Sequence, residues 1–137
     1  MSKIKNVLIL CTGNSCRSIM AEALLNAHLG NCVHAQSSGV ASSLKVNPHA
    51  QALLESKGEW CAEYHSKLIE DVIETEFDLV VTVCEHAKET CPVFPRVVKT
   101  IHLGFDDPSG KAVAEYEKTY ALVKKELLPR VQAELCS

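Results

Sequence analysis

An apolar run, Val7-Leu8-Ile9-Leu10, stops at Cys11 and passes directly into Thr12-Gly13-Asn14-Ser15, after which apolar residues return at helical spacing in Met20, Leu24, Ala27 and Leu29. A short apolar run bounded by a glycine-containing turn reads as a buried strand, and recurrence every three to four residues reads as a helix. The chain therefore opens with a strand over Lys5 to Leu10, a tight loop, and a helix over Ser18 to Leu29.

The same alternation continues. Asn31 to Gln36 can form a second strand, and Asn47-Pro48 opens a helix that runs to about Lys57, with Asn47 as N-cap, Pro48 at the first helical position and Gly58 as the stop. Ser66 to Glu74 reads as a short helix, and Phe77-Asp78-Leu79-Val80-Val81-Thr82-Val83 as a buried central strand ending at Cys84. Val97 to Leu103 reads as another strand, and Lys111 to Leu135 as a long closing helix that Pro129 kinks or breaks. Strands alternating with helices imply a parallel sheet covered on both faces, with ligands bound at the carboxyl ends of the strands. Cys11 and Cys84 both fall at such ends, so they can meet although far apart in sequence.

At 137 residues, 47% hydrophobic and 23% charged, the chain suits one compact domain spanning residues 1–137. A net charge of −3 with scattered basic residues gives no general attraction to nucleic acid or to an anionic membrane. No segment is long enough to span a bilayer, and the expectation is a soluble, cytoplasmic monomer. Seven cysteines, an odd number, exclude a complete set of intramolecular structural disulfides. In a reducing compartment such cysteines are buried hydrophobes, metal ligands, or redox and nucleophilic groups.

Spacing separates these uses. In Cys11-Thr12-Gly13-Asn14-Ser15-Cys16-Arg17-Ser18, small and turn-prone residues let successive N–H groups curl around an anion, and the following helix adds the positive end of its dipole. Arg17 supplies a planar fork of donors for a tetrahedral oxyanion, and the same field is expected to lower the pKa of Cys11. Nucleophile and anion holder come as one unit.

This Cys-x5-Arg-Ser loop after the first strand resembles the low-molecular-weight tyrosine phosphatase family, and with Met20-Ala21-Glu22 it resembles the arsenate reductase branch. The resemblance implies a flavodoxin-like four-stranded parallel sheet, Cys11 as nucleophile, Arg17 as oxyanion ligand, and Ser18 placed to orient or stabilise the thiolate. It also implies a general acid in an Asp-Pro pair, which in Gly104-Phe105-Asp106-Asp107-Pro108 is Asp107 rather than Asp106.

A phosphatase needs only nucleophile, loop and acid, whereas a reductase needs two further thiols. Cys84-Glu85-His86-Ala87-Lys88-Glu89-Thr90-Cys91-Pro92 carries both in one segment. In a regular helix Cys84 and Cys91 would stand about 10 Å apart, yet a disulfide needs Cα atoms within about 7 Å, so oxidation would have to unwind or loop out the segment. Reductases that recycle through thioredoxin carry such a pair. The resemblance thus implies that Cys84 attacks Cys11, that Cys91 draws the disulfide to Cys84–Cys91, and that thioredoxin reduces it. No other cofactor is expected, and a complete intramolecular pair favours thioredoxin over a glutaredoxin-type donor. The alternative is a low-molecular-weight protein tyrosine phosphatase, although Ser109-Gly110-Lys111 stands where that branch usually has tyrosines. Zinc held by Cys84, His86 and Cys91 is disfavoured, because no paired Cys-x2-Cys completes a usual site; no metal is expected.

Some thioredoxin-coupled members hold potassium near the loop with residues matching Asn14, Glu22 and Ser37 plus an acidic residue, and at that last position this chain has Lys67. The expectation is that the Lys67 ammonium takes the cation position, pairing with Glu22 and supporting Asn14. Cys16, which could form an off-pathway disulfide with Cys11, is as readily a packing or protective thiol as a catalytic one and is left out of the core mechanism; Cys32 and Cys61 are read as core positions and Cys136 as part of a frayed terminus. His34, His65 and His102 are read as structural, and Trp60, Tyr116 and Tyr120 as packing residues.

Overall fold

The computed structural model describes residues 4–41, 45–84, 98–108 and 110–136. Within them the order is β1 (Lys5–Cys11), α1 (Arg17–Leu29), β2 (Val33–Gly39), α2 (Pro48–Ser56), β3 (Leu79–Thr82), β4 (Lys99–His102) and α3 (Val113–Leu135). The strands form one parallel sheet in the order β2-β1-β3-β4. Val7 to Leu10 are all fully buried, as are Val80 and Val81. Successive strand residues face opposite sides of a sheet, so the central strands are covered on both faces. The expected parallel architecture is what forms.

The parallel register aligns the strand ends that matter. Cys11 lies opposite Gly39, and Leu10 opposite Thr82, which leaves Cys84 two residues beyond the last paired position of β3. Val83 N–H donates to the Leu10 carbonyl and Phe105 N–H to the Val83 carbonyl, so the loop after β4 is also tied to this carboxyl end.

Helix α2 starts as its residues dictate: Asn47 Oδ1 accepts from the N–H groups of His49 and Ala50, Pro48 follows, and Gly58 takes a φ of 70° after the last turn. Helix α3 buries Tyr116, Tyr120, Val123, Leu127 and Val131 as one stripe. Of the expected kink or break at Pro129, the break does not occur: the helix continues through it. Pro129 and Lys125 are both on the solvent side, where water can satisfy the carbonyl that the missing N–H leaves behind.

Two expectations fail for identifiable reasons. Ser66 to Glu74 forms only a single 3₁₀ turn, Ile69–Asp71, in place of the expected helix. The N–H of Lys67 is committed to Asn14 and its carbonyl to the N–H of Gly39, so the segment's start cannot enter a helical ladder. Cys32 and Cys136, read as a core position and a frayed end, are instead bonded to each other as a disulfide. Cys61 is half-buried and free.

Candidate active site

Between β1 and α1 the main-chain carbonyls of the loop are held from outside. Val40 N–H donates to Cys11 O (3.1 Å), Ala41 N–H to Thr12 O (3.0 Å), Ser66 Oγ to Gly13 O (3.1 Å) and Asn47 N–H to Ser15 O (2.8 Å). A trans peptide sends its C=O and N–H to opposite sides. Each carbonyl anchored outward therefore turns the next N–H toward the inside of the loop, at Thr12, Gly13, Asn14 and Cys16. The helix that follows has Cys16 as N-cap with no side-chain cap, which leaves its first amides to serve an anion.

Asn14 closes the loop from within. It is fully buried and has a φ of 50°, a left-handed conformation that asparagine tolerates better than most residues. Its Nδ2 donates to Ser18 Oγ and Ser37 Oγ, both at 2.9 Å, while its Oδ1 accepts from Lys67 N–H at 2.7 Å. Ser37 Oγ in turn donates to Glu22 Oε1 at 2.6 Å. Gly39 makes room for this arrangement: a Cβ there would meet Thr12 O at 2.6 Å and the Asn14 Cβ at 3.1 Å. The expected cluster of Asn14, Glu22, Ser37 and Lys67 is thus assembled, with one correction. Lys67 supports Asn14 through its main-chain amide, which any residue could supply, and its ammonium acts on Glu22 through space, lowering a carboxyl that burial raises to about 7. Glu22 and Lys67 also line an open cleft of about 940 Å³ behind the loop, together with Asn26, Cys61, Tyr64 and His65.

On the substrate side an open cleft of about 440 Å³ is lined by Arg17, Cys84, Gly104, Phe105, Asp106 and Asp107. Arg17 Nη1 donates to the Phe105 carbonyl at 3.0 Å and Nη2 lies 3.7 Å from Asp107 Oδ2. Pro108 is buried while Asp107 is exposed at the rim, so the proline anchors the carboxyl that faces the guanidinium. Cys84 is buried beside Cys11, with its Sγ 3.1 Å from Thr12 Oγ1.

The Cys11 thiol is pushed up, not down as expected. The hydrogen bond with Cys84 and burial both favour its protonated form, and together they outweigh the opposing pull of Arg17 and of the Thr12 N–H. Two thiolates this close repel, so the pair titrates as a unit. Cys16 is raised to about 12 by burial and by the Asp107 carboxylate, against the pull of Arg17.

A loop of this geometry, with its cysteine and arginine, is matched by a known family model. The model described as low molecular weight phosphotyrosine protein phosphatase covers residues 6–135. The chain belongs to this family. Among its relatives an arsenate reductase of Brevibacillus brevis is 41% identical over 118 residues, 86% of this chain and 87% of that one. The structure of an arsenate reductase from Archaeoglobus fulgidus superimposes with a TM-score of 0.78 at 32% identity, covering 91% of this chain and 98% of the other. A thioredoxin-dependent arsenate reductase of Corynebacterium glutamicum does so with a TM-score of 0.70 at 26% identity, over 96% of this chain and 64% of that one. Within the family this chain falls among the arsenate reductases.

Of the predicted site residues, the structure brings together Cys11, Thr12, Gly13, Asn14, Ser15, Cys16, Arg17, Ser18, Cys84 and Asp107. Cys91, and with it His86 of the zinc alternative, lies outside the described residues. Among the described residues no three His, Cys, Asp or Glu side chains are placed to hold a metal, and no helix is long and apolar enough to cross a membrane. Sequence reasoning missed Ser66, Gly39 and Asn47 as loop supports. Only Asn47 carried a signal, as the N-cap before Pro48, and that signal pointed to α2 rather than to Ser15.

Proposed function

We propose that this chain reduces arsenate to arsenite by a three-cysteine relay that serves arsenic detoxification. The observation that carries the reading is the placement of Cys84, a buried second thiol held by Thr12 Oγ1 beside Cys11, in the cleft that holds Arg17 and Asp107. A phosphatase requires the loop, the arginine and the acid but has no use for a second thiol beside its nucleophile.

In this mechanism arsenate sits on the loop amides and the Arg17 guanidinium, taking Arg17 from the Phe105 carbonyl. The Cys11 thiolate attacks arsenic while Asp107 protonates a departing oxygen, which leaves as water. Ser18, whose Oγ accepts from Asn14, has its O–H to offer the Cys11 sulfur. Cys84 then attacks the Cys11 sulfur. The sulfur–sulfur bond forms as the sulfur–arsenic bond breaks, its electron pair passes to arsenic, and arsenite leaves. Cys91 attacks Cys84, frees Cys11 as a thiol and leaves a Cys84–Cys91 disulfide, which the dithiol of thioredoxin reduces.

The roles of Cys91 and thioredoxin rest on the Cys84/Cys91 spacing and on the thioredoxin-dependent relative, and no further cofactor is needed for the electron count. The cytoplasm, where thioredoxin is kept reduced, is the compartment this chemistry suits. In the same reading Lys67 replaces a bound cation beside Glu22, so turnover is independent of potassium.

The deciding experiment follows NADPH consumption by the purified protein with thioredoxin and thioredoxin reductase, with and without arsenate, and with Cys91→Ser as control. Arsenate-dependent oxidation that disappears in Cys91→Ser is the expected result. No oxidation, accompanied by brisk hydrolysis of an aryl phosphate, would assign the chain to the phosphatase branch instead.

A further inference from the structure

Cys32 and Cys136 take no part in this chemistry. Cys32 lies in the turn between α1 and β2, Cys136 directly follows α3, and the two are bonded with Cα atoms 6.0 Å apart across 104 residues of sequence. That spacing falls within the range of roughly 4.4 to 6.8 Å in which a disulfide closes without moving the backbone. The main chain on both sides is independently fixed. Cys32 N–H donates to Leu29 O, Cys32 O accepts from Lys5 N–H, and Cys136 N–H donates to Gln132 O. The bridge therefore joins two positions whose main chain other hydrogen bonds already hold.

Access and location set this pair apart from the relay. Both cysteines are half-buried and within reach of a small reagent, whereas Cys11, Cys16 and Cys84 are buried. Lys5 pairs with Val33 and Cys11 with Gly39, so Cys32 sits at the amino end of the strands, about 20 Å along β2 from the catalytic end.

We propose that Cys32 and Cys136 form a second redox couple, a disulfide modification site closed by low-molecular-weight disulfides and opened by dithiols, which fastens α3 to the core independently of arsenate turnover. One of the two thiolates attacks a sulfur of the small disulfide and displaces one thiolate. The other then attacks the mixed disulfide and displaces the second. The protein loses two electrons and two thiol protons, and the reagent gains them as two thiols. The cross-link restricts the unfolded chain over more than a hundred residues and secures the helix whose Tyr116, Val123 and Leu127 cover the core, while the distant anion loop is left as it was.

The test uses the full chain incubated with glutathione disulfide, quenched with an alkylating agent and mapped by mass spectrometry without reduction. A linked Cys32–Cys136 peptide is expected in wild type and in Cys11→Ser alike, which separates it from any disulfide of the relay. Thermal unfolding of the oxidised protein should rise by about 5 °C or more over the reduced form. The part of that rise owed to this couple should vanish in Cys32→Ser, with arsenate-dependent turnover unchanged. Should Cys32→Ser not fold, Cys136→Ser at the end of the chain serves the same comparison. Recovery of both cysteines alkylated, or only as separate glutathione adducts, would overturn the proposal, as would equal melting of oxidised wild type and oxidised variant.

Discussion

Thr12 Oγ1 and Cys84 Sγ are 3.1 Å apart, so the residue after the nucleophile holds the thiol that must attack it. The hydroxyl can accept from the Cys84 thiol or donate to its thiolate, and in the second role it favours the attacking form. Thr12→Val removes that hydrogen bond at nearly constant volume. With a neutral hydrogen bond worth about 1 kcal/mol and one to a charged group about 1.5–3 kcal/mol, arsenite release should slow by about five- to a hundredfold, while formation of the Cys11 adduct is retained. Single-turnover measurement of the two steps separates them; equal slowing of both would show that Thr12 acts on the loop as a whole.

The Cys84 hydrogen bond is the largest cause raising the Cys11 thiol. Removing it in Cys84→Ala should therefore bring the Cys11 titration to lower pH, because burial alone then opposes Arg17 and the Thr12 amide. Ultraviolet thiolate absorbance, taken as the difference from a variant that also carries Cys11→Ser, follows this group by itself. A midpoint that stays put or rises would contradict the assigned cause.

Ser66 is a side-chain donor among main-chain donors: its hydroxyl anchors Gly13 O at 3.1 Å. Ser66→Ala leaves that peptide less firmly turned, and with it the Asn14 N–H that faces the anion. Inorganic phosphate, used as a competitive probe of the loop, should bind roughly two- to tenfold more weakly at the usual value of one such hydrogen bond. Ser66→Thr keeps the hydroxyl and should restore affinity. Unaltered phosphate affinity in Ser66→Ala would remove Ser66 from the site.

The elements that could be read from the sequence are those whose signal is local. Val7 to Leu10 and Leu79 to Thr82 are apolar and β-branched enough to be buried strands in any context, and Asn47-Pro48 carries its own helix start. The loop from Cys11 to Ser18 was legible because nucleophile, small residues and arginine are contiguous. What escaped depended on long-range partners. Ser66 to Glu74 has helical spacing, but Lys67 spends its amide on Asn14 and its carbonyl on Gly39. The upward shift of Cys11 comes from Cys84, 73 positions away in sequence. The Cys32–Cys136 bond joins positions that no spacing rule connects.

Lys67 lowers the Glu22 carboxyl against the effect of burial. If the ammonium serves where relatives use a cation, exchanging potassium for sodium at fixed ionic strength should leave turnover unchanged in wild type. Lys67→Met should push the Glu22 pKa higher, a shift visible in the carboxyl carbon resonance. A wild-type rate that falls when sodium replaces potassium would rule out the substitution of lysine for the ion.

Glu22 supplies the clearest dependence of stability on pH. Burial is the main cause that raises it from the ordinary 4.5 to about 7, partly offset by the Ser37 hydroxyl, Lys67 and His65. An acid whose folded pKa lies above its unfolded value binds its proton more tightly when folded, so it contributes stability below about pH 4.5 and loses it as the pH rises through about 7. The full loss is about 3 kcal/mol. Glu22→Gln keeps an oxygen to accept from Ser37 Oγ, which donates at 2.6 Å in the wild type, and has nothing to titrate. Urea unfolding at pH 5 and pH 8 should therefore show a larger fall in stability for wild type than for Glu22→Gln, the difference between the two falls being the Glu22 contribution. Equal falls would mean that the carboxyl ionises in the folded protein as freely as in the unfolded chain, and that the buried Asn14–Ser37–Glu22 chain carries no such penalty.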